Sequence, residues 1–322
     1  MKAIIYTEYG SPDVLQLKEV AKPTPKDNEL LIRIEATTVT AVDSTFRQGA
    51  SISGRFYTGL KRPKRPVLGS TLAGEVEAVG KDVTLFKKGD QVFGATADFG
   101  AHAEYICLPE DGALALKPAS ITYEEAVATN AALTALPFLR DSGQIQSGHK
   151  VLINGASGSV GSYAVQLAKQ AGAEVTGVCS TEKMAFVQSL GADKVIDYKT
   201  EDFASSGETY DIIFDAAGKS SYGRCQHILK ENGIYLSTVL SPRIVLDMLW
   251  TSVLGNKKAK IAFAGLRPAS EQVKDLRFLT ELMEAGQLKA LVDRSYPLTE
   301  TAEAYRYFET GQKKGSVVIT VA

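Results

Sequence analysis

Residues 151–173 read VLINGASGSVGSYAVQLAKQAGA. Four mostly apolar residues lead into a run of small ones, and beyond them Val160, Ala164, Leu167, Ala168 and Ala171 recur at the spacing of a buried helix face. The stretch predicts a strand, a tight turn and a helix, with Gly155, Gly158 and Gly161 three apart across the turn. Glycine there opens backbone angles closed to other residues, and a missing Cβ lets an anion approach the amides at a helix start. The third glycine lets the helix sit close to the strand. Three glycines alone are equally well read as a tight loop. The following run, EVTGVC, reads as another strand, and a strand, glycine turn, helix and strand in succession is the context that a dinucleotide diphosphate requires.

Outward from this unit, apolar runs alternate with helical ones. KVLIN precedes a helix over 160–171, EVTGVC one over 182–190, then come KVID, YDIIFDAAG with a helix over 220–230, and GIYLSTV. Strands apolar on both faces with helices between them predict a parallel sheet covered on both sides. Upstream, TYEEAVATNAALTALPFLRDSG opens on Thr122 with Glu125 three residues on, a capping-box spacing. Before it, KAIIY, ELLIRIEATTV, LAGEVEAVG, DQVFGA and AEYICL are short β-type runs between Gly, Pro, Asp and Lys clusters, and LLIRIEA and GEVEAVG alternate as half-buried strands do. A mainly β domain is expected, interrupted over 47–69 by a glycine-, proline- and arginine-rich stretch that reads as a mobile loop. The end of the chain supplies a helix and a strand, SVVITV, expected to return to the first domain.

The end of the strand EVTGVC addresses the choice of nicotinamide cofactor. A carboxylate there binds the adenosine ribose of NAD and repels an added phosphate, whereas this chain has VCSTEKM. Ser180 and Thr181 are neutral donors and Lys183 brings charge. Glu182 is the contrary feature, although neighbouring side chains of a helical turn point apart. NADPH is the expected cofactor, with a charge-assisted contact from Lys183 contributing about 1.5 to 3 kcal/mol, a tenfold or greater preference over NADH. A solvated surface lysine is the plain alternative.

The 322 residues are 44% apolar and 23% charged, with formal net charge −1. Charges of both signs alternate, which speaks against a nucleic-acid partner. MKAIIYTEYG lacks a signal peptide's apolar core, and the richest apolar run, IVLDMLWTSVLG over 244–255, is too short to span a bilayer and contains Asp247. It reads as an amphipathic or buried helix. Cys107, Cys179 and Cys225 are odd in number and widely spaced, so neither a disulfide framework nor a metal clip is expected, and a cytoplasmic setting without membrane contact fits best.

In TAVDSTFRQG, RPVLGSTLAGEVEAVG, KKGDQVFG, ALTAL, INGASGSVGSYAVQLAKQAGA, SLGADKVIDY and KKGSVVITV the chain resembles the medium-chain dehydrogenase/reductase superfamily, in its zinc-free quinone oxidoreductase and enone reductase branch. The resemblance covers nearly the whole length. It implies an α/β fold: a Rossmann doubly wound parallel sheet over 123–263, plus a GroES-like mainly β catalytic domain built from 1–122 and 264–322, with a cleft between them and a homodimeric assembly. The three catalytic-zinc positions of the alcohol dehydrogenases are held here by Thr40, Ser70 and Asn130, and the four-cysteine structural lobe is missing. Hydroxyls and an amide ligate zinc poorly, so no metal is expected. His102, His149 and His227 lie far apart and read as surface or hydrogen-bonded residues.

The resemblance assigns cofactor contacts to Asn130, Thr134, Gly155, Ser157, Gly158, Ser159, Val160, Gly161, Ser180, Thr181, Lys183, Tyr198, Ala216, Ala217, Val239 and Ser241. Residues 214–218 would wall the adenosine or ribose site, with Asp215 as apt to fix a loop as to touch ligand, and residues 239–241 and 263–265 would lie near the nicotinamide. Without a metal, hydride transfer from NADPH to a quinone or an α,β-unsaturated carbonyl is expected, and a donor must meet charge developing on the substrate oxygen. Thr40, Thr45, Tyr57 and Thr134 are the candidate donors, with Asp43 orienting its neighbours; solvent or the cofactor ribose is the other proton source. Lys61, Arg62, Lys64 and Arg65 read as solvated loop charge or as a gate for an acidic substrate. Two rival functions remain: an NADPH-binding sensor or structural protein, and a zinc alcohol dehydrogenase.

Overall fold

A computed structural model describes residues 1–49, 55 and 59–321 and divides the chain into two compact units, Met1–Asn130 with Arg267–Glu284 and Ala290–Ala322, and Ala131–Leu266 with Ala285–Lys289. In the first unit, β1 (Lys2–Ile5) pairs with β2 (Gln16–Glu19). Then follow β3 (Glu29–Val39), α1 (Ala41–Gln48), β4 (Thr71–Val79), β5 (Gln91–Ala95), β6 (Tyr105–Pro109), β7 (Leu114–Leu116) and α2 (Tyr123–Thr129). The chain returns to this unit as α8 (Ala269–Glu284), β14 (Val292–Pro297), α9 (Thr301–Glu309) and β15 (Ser316–Thr320).

The main sheet of this unit runs β14-β15-β3-β4-β5-β7, with β6 also on β3. The terminal strand SVVITV is thus β15 and lies in the first unit, antiparallel to β3 with Val317 opposite Val39. Its other neighbour β14 was not foreseen: VDRSYP is mostly exposed at the sheet edge and has no apolar alternation to reveal it. The alternation read in β3 is also incomplete. Leu30, Ile32 and Ile34 enter one core with Leu72, Val76 and Val92, while the opposite face is covered by α2, so nearly the whole strand is buried. α2 begins as its spacing predicts, Glu125 N donating to Thr122 Oγ1 at 3.2 Å and Thr122 N to Glu125 Oε2 at 2.9 Å.

The stretch read as a mobile loop is in part fixed structure. Arg47 lies in α1 and is fully buried, donating to the Gly10 carbonyl and to Glu309 of α9. Such a guanidinium cannot be left unpaired without a large cost, so it locks α1 against α9. Further on, Leu68 and Gly69 are buried, while Lys61, Arg62 and Lys64 are exposed, as solvated loop charge requires.

The second unit comprises α3 (Ala132–Pro137), β8 (Lys150–Asn154), α4 (Ser159–Gln170), β9 (Glu174–Cys179), α5 (Met184–Ser189), β10 (Lys194–Asp197), β11 (Tyr210–Asp215), α6 (Tyr222–Cys225), β12 (Leu229–Ser237), α7 (Pro242–Val253) and β13 (Lys258–Lys260). All neighbours in the order β10-β9-β8-β11-β12-β13 are parallel. This is the doubly wound arrangement, whose strand order reverses between β8 and β11, where ligands of open α/β sheets bind. α4 is buried continuously from Gly161 to Ala168, more than the single face its spacing suggested. The edge strand β13 was not foreseen either; KAK carries no apolar signal.

α7 is the amphipathic rather than the buried form of the helix read there. Ile244, Asp247 and Thr251 face the unit, whereas Leu246, Leu249, Trp250 and Val253, spaced along one side, are 63 to 82% exposed. Its apolar face points away from its own core. No helix among the described residues is long and apolar enough to cross a membrane.

Candidate functional site

Asn154 ends β8 and Asp215 ends β11, the two strands flanking the reversal. Asn154 Nδ2 donates to Asp215 Oδ1 at 2.8 Å, and the buried carboxylate also accepts from Tyr235 OH, Lys219 N and Ser220 N. Asp215 therefore fixes the loop that carries Ala216 and Ala217. Both of these donate their backbone N–H to Asn154 O, at 3.0 and 3.2 Å, which holds the loop beside the glycine turn.

The three glycines have different reasons. Gly155 sits at φ +82°, and a Cβ there would lie 2.8 Å from Ala217 Cβ. Gly161 lies so close to the turn that a Cβ would meet the Gly155 carbonyl carbon at 2.8 Å and Ala156 Cα at 3.0 Å. The protein's own packing demands both. Gly158 is unlike them: its φ of −78° and ψ of 171° suit any residue, and its Cβ would meet only Gly155 O at 3.4 Å. It is the N-cap of α4, and no side chain caps that helix. The first amides of a helix lack intrahelical acceptors, so the turn presents donors beside a space that no protein atom takes. A diphosphate fits that cradle. Ser157 is buried in the turn, and Ser159 and Val160 begin the helix.

At the end of β9, Ser180 is buried and Thr181 to Lys183 form a short turn. Thr181 Oγ1 donates to Asp197 at the end of β10, so its proton is already committed within the protein. Glu182 turns to Lys199, with Nζ to Oε1 at 2.6 Å. That contact, the turn's backbone and Ser180 hold its carboxyl down to about 2. Lys183 is half-buried, and Tyr198 is 59% exposed rather than packed in the core. Val239 stands exposed against Gly218, whose Cβ it would exclude. Ser241 is engaged otherwise: its Oγ caps α7 by accepting from Ile244 N at 3.3 Å. Thr134 lies in α3, half-buried, and Phe263 is half-exposed just ahead of a short turn over 264–266.

In the first unit the hydroxyl positions converge on one carboxylate. Thr40 caps α1, and Asp43 Oδ2 accepts from Thr40 Oγ1 at 2.6 Å, Thr40 N at 3.1 Å and Ser70 Oγ at 3.3 Å, while Oδ1 accepts from Gly69 N at 3.2 Å. Asp43 is fully buried, and burial pushes its carboxyl up to about 6 against the pull of these donors. Thr40 has one proton, and in this arrangement Asp43 receives it. Thr45, the other helix hydroxyl, donates to Ala41 O at 2.8 Å and is exposed. Tyr57 lies outside the described residues. Asn130 ends α2, with Nδ2 donating to Gly94 O at 2.8 Å and its buried Oδ1 left without a protein partner.

Matches to known proteins cover both units. The chain matches the Alcohol dehydrogenase GroES-like domain over residues 26–118 and the Zinc-binding dehydrogenase family over 190–319. It is 34% identical to a chloroplastic quinone-oxidoreductase homolog of Spinacia oleracea, across 99% of this chain and 98% of that protein. The chain belongs to the medium-chain dehydrogenase/reductase superfamily. Within it, the zinc-free quinone and enone oxidoreductase branch is the one it matches. A 2-methylene-furan-3-one reductase of Solanum lycopersicum is 32% identical, covering 99% of this chain and 79% of that one. The crystal structure of Escherichia coli quinone oxidoreductase complexed with NADPH superposes with a TM-score of 0.87 at 25% identity, covering all of both chains.

For this dehydrogenase the zinc positions can be tested atom by atom. Thr40 and Ser70 do come together, Oγ to Oγ 3.4 Å, and both turn to Asp43, while Asn130 turns its amide nitrogen to Gly94 O. Two hydroxyls bound to a carboxylate and one amide are a poor donor set for zinc. No cluster of three His, Cys, Asp or Glu fit for a metal occurs among the described residues. His102 is buried and hydrogen-bonded. Thr37 Oγ1 gives its proton to Thr71 O at 2.6 Å, so it accepts from His102 Nδ1 at 3.4 Å, and Nε2 accepts from Tyr305 OH at 3.0 Å. Burial holds that ring's pKa down to about 3.

Sequence reading missed Asn154, Asp197 and Lys199. Asn154 ends the quoted strand and Asp197 is the acidic residue of VIDY, so both stood in view, but only the register of parallel strands places them beside Asp215 and Thr181. Lys199 follows Tyr198 directly, and nothing local marks it as a partner of Glu182.

Proposed function

We propose that this oxidoreductase transfers hydride from NADPH to a quinone or an α,β-unsaturated carbonyl, without a metal. The observation that carries the reading is Gly158: its side-chain space is free of protein atoms, beside an uncapped helix start at the reversal of a doubly wound sheet. The nicotinamide would supply the hydride. The amides of the turn would hold the diphosphate, Ala216 and Ala217 would flank the ribose, and Lys183 and Tyr198 would meet the 2′-phosphate. Asn130 offers its unpaired Oδ1 to a ligand N–H or O–H. Because Asp43 takes the Thr40 and Ser70 protons, these hydroxyls present lone pairs, and the product proton comes from solvent or the cofactor ribose. The names of the spinach, tomato and Escherichia coli relatives support both acceptor classes and the cofactor.

The test is a panel of quinones and enones mixed with enzyme and either NADPH or NADH, read by loss of nicotinamide absorbance. Oxidation that depends on acceptor and is faster with NADPH is the expected result. Dinucleotide binding without turnover of any acceptor would instead support a sensor or structural protein, and activity lost with a chelator would support a metal enzyme.

The same reading includes a cytoplasmic homodimer. The exposed face of α7 beside the open edge of β13 supports self-association, since monomers rarely leave such an apolar face to solvent.

A further inference from the structure

Four charged residues lie on the two adjacent strand ends where the adenosine ribose of a dinucleotide is expected. Glu182 and Lys183 come from the turn after β9, and Asp197 and Lys199 from the end of β10. The Glu182 to Lys199 pair spans 2.6 Å and both partners are substantially exposed. Asp197 is anchored differently, accepting from Thr181 Oγ1 and, at 2.9 Å, from Lys199 N. Two carboxylates thus offset two ammonium groups. A 2′-phosphate, with close to two negative charges at neutral pH, would meet a subsite whose formal charge is zero rather than +1 or +2.

We propose that Glu182 and Lys199 act as one element that levels this chain's choice between NADPH and NADH, Lys199 adding a cation for the 2′-phosphate and Glu182 drawing that cation away. The proposal rests on the dinucleotide reading above. An exposed ion pair is weak and readily exchanged, so a phosphate can take Lys199 from Glu182 at little cost. Asp197 cannot follow, being held by a hydroxyl and an amide. Glu182 then stands as an unpaired like charge near the phosphate, and with NADH it keeps its lysine. Its carboxyl is ionised throughout the working range, so no ordinary change of pH relieves the opposition.

The experiment is calorimetric titration of the wild type, Glu182→Gln and Lys199→Met with 2′,5′-ADP and with 5′-AMP, which differ only in the 2′-phosphate, alongside NADPH and NADH. Glu182→Gln is expected to tighten 2′,5′-ADP about fivefold and Lys199→Met to weaken it about fivefold, 5′-AMP affinity staying the same in both. Melting temperatures of the variants, as surface substitutions, stay close to the wild type and exclude misfolding. An unchanged ratio of the two nucleotide affinities in both variants, with both dinucleotides still bound, overturns this inference alone. Weaker 2′,5′-ADP binding in Glu182→Gln also overturns it, because Glu182 would then be aiding the phosphate. If the wild type binds neither NADPH nor NADH, the functional reading falls and takes the inference with it.

Discussion

Replacing Gly158 and Gly161 by alanine, one at a time, separates a glycine kept for a ligand from one kept for the fold. At Gly161 the new methyl would press on the Gly155 carbonyl carbon at 2.8 Å and on Ala156 Cα at 3.0 Å, backbone atoms with no rotamer to escape through. Overpacking of this kind costs about 1 to 3 kcal/mol or more, which lowers the melting temperature of a chain this size by roughly 1 to 5 °C. At Gly158 the methyl meets one oxygen at 3.4 Å in a conformation that alanine adopts freely. The entropic gain of Gly→Ala, about 0.4 to 1 kcal/mol, opposes the poor quality of alanine as an N-cap, about 0.5 to 1 kcal/mol. Net stability should move by less than about 1 kcal/mol.

Binding should respond in the opposite order. The methyl of Gly158→Ala occupies the diphosphate's approach, and losing one charge-assisted hydrogen bond of about 1.5 to 3 kcal/mol weakens NADPH at least tenfold. Calorimetric titration with NADPH and melting with and without it give both quantities. A wild type at about 100 times its Kd gains about 2.7 kcal/mol from the ligand, and Gly158→Ala should lose most of that increment while its ligand-free melting stays put. Tight NADPH binding by Gly158→Ala, or melting as early as that of Gly161→Ala, would refute the assignment of that space to a diphosphate.

Three further outcomes follow from the first unit and from α7. Asp43 is raised by burial from the ordinary 3.8 to about 6, so the folded state holds its proton more tightly: the stability is present below about pH 4 and lost as pH rises through 6. Relative to Asp43→Asn, the wild type should therefore lose about 2 kcal/mol between pH 4 and 7, read from urea midpoints. His102 runs the other way, its folded value near 3 lying below the ordinary 6.5. Its contribution is present above pH 6.5 and declines with acid, so the wild type should lose about 3 kcal/mol relative to His102→Gln by pH 4 in the same assay. Trp250→Glu places a charge in the exposed face of α7; if the proposed homodimer forms through that face, sedimentation should show a dimeric wild type and a monomeric variant of unchanged melting temperature.

What the sequence made legible is what local rules govern. The turn after VLIN, the capping box at Thr122 and the alternation of apolar runs with helices each concern a few adjacent residues, and each appears in the structure where the rules put it. The strands β13 and β14 escaped because an edge strand needs little apolar content once its partner supplies the backbone hydrogen bonds. α7 escaped in direction only: its spacing marks an apolar side, but periodicity does not say whether that side meets the chain's own core. At the site, hydroxyls were recognised as hydroxyls, yet the destination of their protons was set by residues distant in sequence. Thr181 gives its proton to Asp197, and Ser70 its own to Asp43, across 16 and 27 residues.

That destination narrows the chemistry. A carbonyl reduced without a metal needs either a strong donor at its oxygen or a product anion that is stable by itself. Asp43 gathers the Thr40 and Ser70 protons onto one buried oxygen, so these two positions supply acceptors rather than an oxyanion hole. The stabilisation that these two positions do not supply can come from the substrate. Conjugation provides it in a quinone, whose reduction yields an aromatic oxyanion, and in an enone, whose reduction at the distal carbon yields an enolate. A simple ketone or aldehyde yields a localised alkoxide, and for this chain such substrates should be reduced far more slowly than conjugated ones. Equal rates on a saturated ketone and its α,β-unsaturated counterpart, measured with one NADPH concentration, would show that a donor absent from the Asp43 cluster meets the oxygen.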